Sequence, residues 1–214
     1  MPLLHWSPRS PYVRKVMVAF HEKGLADTIQ TTRTTADPMV PHEELMLVNP
    51  LSKIPTLERE DGPPLWDSRV IMEWADRTGE SGPRLFPEAP EQREIALRDE
   101  ALGTGMLDIA LPWLVELYMR PPEQRSEIQI AAWRRKLAST LDWLESHIAE
   151  IDARSFDAGH LSIGVALCYL NFRFSSEGWP NNRPTLAAWH ARFRERPSVI
   201  ATEFRDDPRP QAAG

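Results

Sequence analysis

Two serine-bearing corners hold the groups in this 214-residue chain best placed for chemistry. In the first, Ser7-Pro8-Arg9-Ser10-Pro11 follows a short apolar run, Leu3 to Trp6, and precedes Val13, Val16, Met17 and Phe20 at helical spacing. Ser10 is the N-cap expected of that helix and Pro11 its first-turn proline. In the second, Asp67-Ser68 leads into Val70, Ile71, Trp74 and Ala75, a helix that Gly79 should stop. Each corner sets a hydroxyl beside first-turn amides, where negative charge is favoured.

Other signatures fail on inspection. Gly103-Thr104-Gly105 lacks the third glycine of a dinucleotide fingerprint and lies in a helical stripe, not after a strand. Leu161-Ser162-Ile163-Gly164 approximates a nucleophile elbow, but His160 replaces the required glycine. The six histidines show no pair at metal-ligand spacing on a helix face, so no metal site is expected. The single cysteine, Cys168, makes neither an internal disulfide nor a CxxC pair and sits in an apolar helix, as an inert buried thiol would.

The elements that must position these corners are legible in outline. Strand, loop and helix to Gly24 are followed by a Thr-rich strand between Thr28 and Thr35. Pro55-Thr56-Leu57 and Leu65-Trp66 flank Asp61-Gly62-Pro63-Pro64 and predict a hairpin. The first 80 residues thus read βαβ, a connection, then ββα. From Glu80 to Glu91 the chain is aperiodic and proline-rich, the composition of a linker. Beyond it, Ile95, Leu102, Met106, Ile109, Trp113 and Leu117 share a helical stripe that Pro112 should kink. A second helix carries Ile130, Trp133, Leu137, Leu141, Leu144, Ile148 and Ile151. Leu161 to Phe174 is apolar all round, as a central bundle helix would be. Leu186 to Arg194 and Ser198 to Phe204 complete the bundle.

Composition bounds the function. With 42% apolar and 26% charged residues the chain buries a real core, and disorder is a poor reading. Lys plus Arg total 25 against 31 Asp plus Glu, with no basic stripe, so nucleic acid is not an expected partner. No basic leader and no spanning apolar run are present, so neither export nor a membrane is expected, and one cysteine fits a reducing, cytoplasmic compartment.

Three segments in order, Ser7 to Lys15, Asn49-Pro50-Leu51-Ser52-Lys53-Ile54-Pro55-Thr56-Leu57 and Leu65-Trp66-Asp67-Ser68-Arg69-Val70-Ile71, resemble the glutathione transferase superfamily. They are similar to its first strand-to-helix turn, its cis-proline loop and its acidic-Ser motif. Tyr169-Leu170-Asn171-Phe172-Arg173 and Arg196-Pro197-Ser198 resemble bacterial members, so the likeness spans nearly the whole chain and points to a serine-type protein. The resemblance implies an α/β plus all-α fold: a thioredoxin-like domain over 1–79, a linker over 80–90 and an all-helical substrate-binding domain over 91–214. It also implies a homodimer.

The same resemblance implies roles for the corners. Glutathione's γ-glutamyl end carries a carboxylate and an ammonium; Ser68 and nearby amides would take the first and Asp67 the second. Glu is commoner in the family where Asp67 stands, and the missing methylene shortens the reach. A cis Ile54-Pro55 bond would turn the Ile54 backbone toward the cysteinyl unit, and Lys53 would approach the glycyl carboxylate or remain a solvated lysine. A thiol of pKa about 8.5 lowered by two units needs ~2.7 kcal/mol. One hydrogen bond to a charged group gives ~1.5–3 kcal/mol. A hydroxyl at the first helix N-terminus therefore suffices, with Ser10 favoured and Ser7 the competing donor. A serine where redox members carry cysteine argues against disulfide exchange.

An apolar second-substrate pocket between the domains is expected to draw on Trp6, Pro8, Met106, Ile109, Trp113 and Trp179, with Asp108 available to a polar substrate group. The function implied is conjugation of the glutathione thiolate to small apolar electrophiles, as in detoxification. The alternatives are a non-catalytic glutathione-binding scaffold and a glutathione-dependent peroxidase. Asp157-Ala158-Gly159-His160 departs from the family's Ser/Thr-x-x-Asp capping box, since His160 does not repeat an anion's interaction with the helix dipole.

Overall fold

The computed structural model describes residues 1–207. By packing, the chain divides into two compact units, Met1–Phe86 together with the segment from Pro197 onward, and Pro87–Arg196. The last helix of the 91–214 span thus packs with the first unit, and residues 208–214 of that span lie outside the described residues.

In the first unit the central strand β1 (Leu3–Trp6) buries Leu4 completely. Helix α1 (Pro11–Glu22) follows, its first turn closed by the Val13 amide donating to Ser10 Oγ at 3.3 Å. It ends at Lys23, and Gly24 turns the chain at φ +69, a conformation that glycine adopts without steric cost. Strand β2 (Gln30–Arg33) pairs parallel to β1, as expected within Thr28 to Thr35. A four-residue helix, α2 (Glu43–Met46), occupies the connection and was not expected; His42 caps it through an acceptor nitrogen. Strand β3 (Thr56–Glu58) pairs antiparallel with β1, giving the sheet order β2-β1-β3.

The predicted hairpin is reduced to a single bridge, Leu57 with Leu65, without a fourth strand. Arg59 donates to the Pro63 carbonyl at 3.0 Å and closes the turn with its side chain. Helix α3 (Ser68–Thr78) is capped by Asp67 and stopped by Gly79, as expected, and buries Ile71, Trp74 and Ala75. Val70, expected inward, is 43% exposed. Beyond the second unit, α8 (Pro197–Ala201) returns to α1: Arg14 donates to the Val199 carbonyl at 3.0 Å and lies over the Phe204 ring.

The second unit contains α4 (Pro90–Met119), α5 (Glu127–Asp152), α6 (Ala158–Arg173) and α7 (Pro184–Arg194). The α5 seam is buried as read, apart from a half-buried Trp133, and α6 is buried from Ala158 through Leu170. The α4 stripe is displaced from the expected one. Ile95 is exposed and Leu102 and Ile109 only half-buried, while Ala96, Asp99, Gly103, Met106, Leu107, Ala110 and Trp113 face inward. Assigned helix runs unbroken across Pro112, which is exposed.

Close approach to α6 accounts for the shift. A Cβ on Gly103 would lie 2.4 Å from the Ser162 carbonyl carbon, so small residues set this face where larger ones would hold the helices apart. Gly103→Ala is therefore expected to destabilise by ~1–3 kcal/mol through overpacking, despite alanine's higher helix propensity. Chemical denaturation checks it, and an unchanged midpoint would mean that the helices separate freely.

The His160 departure resolves differently from its sequence reading. Asp157 Oδ1 accepts from the Gly159 and His160 amides at 2.9 and 3.1 Å, and His160 Nδ1 faces the Asp157 amide at 3.2 Å. The capping box is reciprocal, with an imidazole nitrogen in the place of a carboxylate oxygen.

Candidate active site

Sheet register decides which residues share one end of the first unit. His5 pairs with Thr56 in the antiparallel ladder, so one step further Trp6 lies opposite Pro55. The antiparallel bridge between Leu57 and Leu65 likewise carries Trp66 and Asp67 toward Thr56 and Pro55. The end of β1, the loop before β3 and the start of α3 therefore meet at one edge of the sheet. Ser7 to Ser10, Ile54-Pro55 and Asp67-Ser68 are brought together there.

The local hydrogen bonds leave specific groups available. Ser10 Oγ accepts from the Val13 amide, so its hydroxyl proton remains to donate, and the residue is half-buried. Ser7 Oγ accepts from the Arg9 amide at a long 3.4 Å, but Ser7 is 7% exposed and so less open to a ligand. Arg9, between them, is drawn away to Asp207 at 3.1 Å. The Asp207 carboxyl is held below the usual carboxylate range, first by its hydrogen bond from Arg33, against burial, and then by the charges of Arg33 and Arg9.

Ile54 and Pro55 are joined by a cis bond, and the Ile54 backbone N–H and C=O have no partner among the described residues. That is an edge to which an extended, peptide-like molecule can pair. Asn49 and Thr56 fix the loop, both donating to the Lys53 carbonyl, at 3.1 and 2.8 Å. The Lys53 side chain is exposed. Asp67 spends one oxygen, Oδ1, on the Arg69 amide at 2.8 Å and the Ser68 hydroxyl at 3.3 Å, leaving Oδ2 unbonded among the described residues. Ser68 is 2% exposed, and its amide at the first position of α3 has no acceptor among the described residues. The corner thus offers an N–H donor for a carboxylate beside a carboxylate oxygen for a cation, which fits an amino-acid end group.

The second-substrate candidates fall into two sets. Trp6 and Pro8 are half-buried in the first unit. In the second unit Met106 is buried, Ile109 half-buried and Asp108 exposed on α4. Trp113 and Trp179 are brought together as walls of a cavity that excludes Met106, Asp108 and Ile109. Arg134, Glu177 and Arg183, which border that cavity, were not singled out from the sequence; their pairings span some forty residues and leave no local signal. Among the described residues no cluster of His, Cys, Asp and Glu is arranged to hold a metal ion, and no helix is long and apolar enough to cross a membrane.

Fold and site define a class, and comparison with known proteins gives it a name. Residues 9–78 match the model of the glutathione S-transferase N-terminal domain. The chain is 31% identical over 197 residues to the uncharacterized GST-like protein YibF of Escherichia coli K12, covering 91% of this chain and 94% of that protein. It is 36% identical to a glutathione transferase family member from Pseudomonas fluorescens Pf-5, solved with bound glutathione, with TM-score 0.91 over 96% of this chain and all of that one. A glutathione S-transferase from Methylobacillus flagellatus KT, solved with glutathione bound, is 30% identical, with TM-score 0.85 over 95% of this chain and 99% of that one. The chain belongs to the glutathione transferase superfamily, with a thioredoxin-like first unit and a helical second one.

Proposed function

We propose that this protein is a glutathione S-transferase that joins the glutathione thiolate to small apolar electrophiles. The observation that carries the reading is the gathering of Ser7 to Ser10, the unpaired Ile54 backbone and the Asp67-Ser68 corner at one sheet edge. Relatives solved with glutathione support it.

In this reading the γ-glutamyl carboxylate accepts from Ser68 and first-turn amides of α3, while Asp67 Oδ2 faces the ammonium. The Ile54 backbone pairs with the cysteinyl unit, and Lys53 approaches the glycyl carboxylate. Ser10 donates its hydroxyl proton to the sulfur and favours thiolate over thiol, with Ser7 as the competing donor. The sulfur forms the new carbon–sulfur bond, a leaving group departs with its electron pair, and the thiol proton passes to water. Trp6, Pro8, Met106, Asp108, Ile109, Trp113 and Trp179 enter as proposed electrophile contacts, each testable by its own substitution. A homodimer in the cytoplasm, acting in detoxification, completes the proposal.

The binding half is tested at the second corner. Ser68→Ala and Asp67→Asn are each expected to raise the glutathione Kd about tenfold, the effect of one charge-assisted hydrogen bond, with turnover at saturation within about twofold. Calorimetry with an S-methylated glutathione reads the affinity. Unchanged affinity in both variants would remove the glutamyl assignment.

A further inference from the structure

The turn from Ser7 to Ser10 closes only weakly on its own. The Ser10 amide donates to the Ser7 carbonyl at 3.2 Å and the Arg9 amide to Ser7 Oγ at 3.4 Å, at or beyond the long end of the usual range. Its two central residues, Pro8 and Arg9, find their partners in the segment after α8, which packs in the same unit. The Arg205 amide donates to the Pro8 carbonyl at 3.2 Å. Arg9 Nε lies 3.1 Å from Asp207 Oδ1 and 3.4 Å from Asp206 Oδ1.

That segment is itself anchored. Phe204 is buried under the Arg14 guanidinium, which lies 4.3 Å from the ring centroid. Arg33 grips Asp207 through two nitrogens, at 2.6 and 3.2 Å, and its third donates to the Thr34 carbonyl at 2.8 Å. Arg33 is also the register partner of Trp6, the residue before Ser7. One carboxylate therefore spans the end of the sheet and the turn that leaves it. The side chains of Arg9, Arg33 and Asp207 are 25%, 24% and 29% exposed, so solvent and salt screen their attraction less than that of a surface pair.

We infer that Glu203 to Asp207 form a strap that positions the serine-bearing turn, with Asp207 as a positioning residue acting through Arg9. The inference rests on the proposed glutathione site for its effect on rate, and it gives Asp207 no contact with glutathione. Removing the carboxylate loosens the turn and lets Ser10 drift from the sulfur, a displacement that costs rate more than affinity.

Two readouts on the full chain test it, and the first needs no glutathione. Amide hydrogen exchange at Arg9 and Ser10 of the free protein should be about tenfold faster in Asp207→Asn and in Arg9→Met, and within about threefold of native in Asp207→Glu, which keeps the charge. Conjugation of glutathione to the apolar electrophile chlorodinitrobenzene should lose about tenfold in kcat in the same two variants, with KM for glutathione within about twofold, and recover in Asp207→Glu. The double variant Arg9→Met, Asp207→Asn should lose no more than either single one, because both act through one contact. Native exchange rates in both charge-removing variants, native kcat in both, or a loss that falls on KM instead of kcat would each overturn the inference. Faster exchange in the variants of a protein that binds no glutathione would support the strap's hold on the turn and overturn the transferase reading alone.

Discussion

Replacing Ser10 by Ala should cut conjugation turnover by about 10- to 100-fold while leaving glutathione affinity within about threefold, because a hydrogen bond to the charged sulfur contributes ~1.5–3 kcal/mol. The split between turnover and affinity matters more than the size of the loss. Ser10 has a second task, since its oxygen accepts the Val13 amide and closes the first turn of α1. Removing that cap costs ~1 kcal/mol of stability. A purely structural role would therefore lower the melting temperature and leave the thiolate intact in whatever remains folded. Ser10→Gly, which costs a cap only a few tenths of a kcal/mol, separates the two roles: turnover should fall with little change in melting. If both variants turned over at the native rate, the donor would be Ser7 or a backbone amide.

The largest stability effect is expected at Asp157. Its carboxylate caps two amides of α6 and faces His160 at 2.8 Å and Arg154 at 3.4 Å; Arg154 also reaches the fully buried Asp99 at 2.6 Å. Asp157→Ala should cost ~2–4 kcal/mol, combining a lost cap with partners left unbalanced in a buried cluster. A direct pH consequence follows from the carboxyl itself. Burial acts to raise its pKa, but the hydrogen bond and charge of His160, the His160 amide and Arg154 together outweigh it, so the net direction is down. A carboxyl lower in the folded than in the unfolded chain adds stability that is fully present above the ordinary aspartate value of about 4. That contribution is lost as pH falls through the lowered folded value. Melting temperature against pH should drop less steeply below about pH 4 in Asp157→Asn than in the native protein, and parallel acid limbs would contradict the assignment.

Local chemistry made the corners readable. Ser10, Asp67 and Gly79 act through bonds within a few residues of themselves, and so do the strand and helix starts that they mark. What the sequence hid depends on packing between distant segments. The α4 face toward α6 is built from Ala96, Gly103 and Ala110 around the buried charges of Asp99 and Glu100, none of which a search for large apolar residues would select. Ile95, Leu102 and Ile109 drew the stripe to the wrong side for the same reason. The second hairpin arm failed because one bridge at Leu57 and Leu65 is all that pairs, with the Arg59 side chain closing the turn. His160 was misjudged because its ring nitrogen takes the place of the carboxylate oxygen in the capping box, facing the Asp157 amide. The convergence of the three serine-type segments was legible only through family likeness; its physical cause is the register of β1 with β3 and of Leu57 with Leu65.

The central claim is that the sheet edge bearing Ser10 holds glutathione as its thiolate. The most direct measurement is an ultraviolet difference spectrum of the protein with glutathione near neutral pH, beside a calorimetric titration of the same sample. The account predicts a saturable heat of binding accompanied by thiolate absorbance, with the absorbance reduced and the heat retained in Ser10→Ala. No binding at millimolar glutathione, or binding with the sulfur wholly protonated, would contradict it.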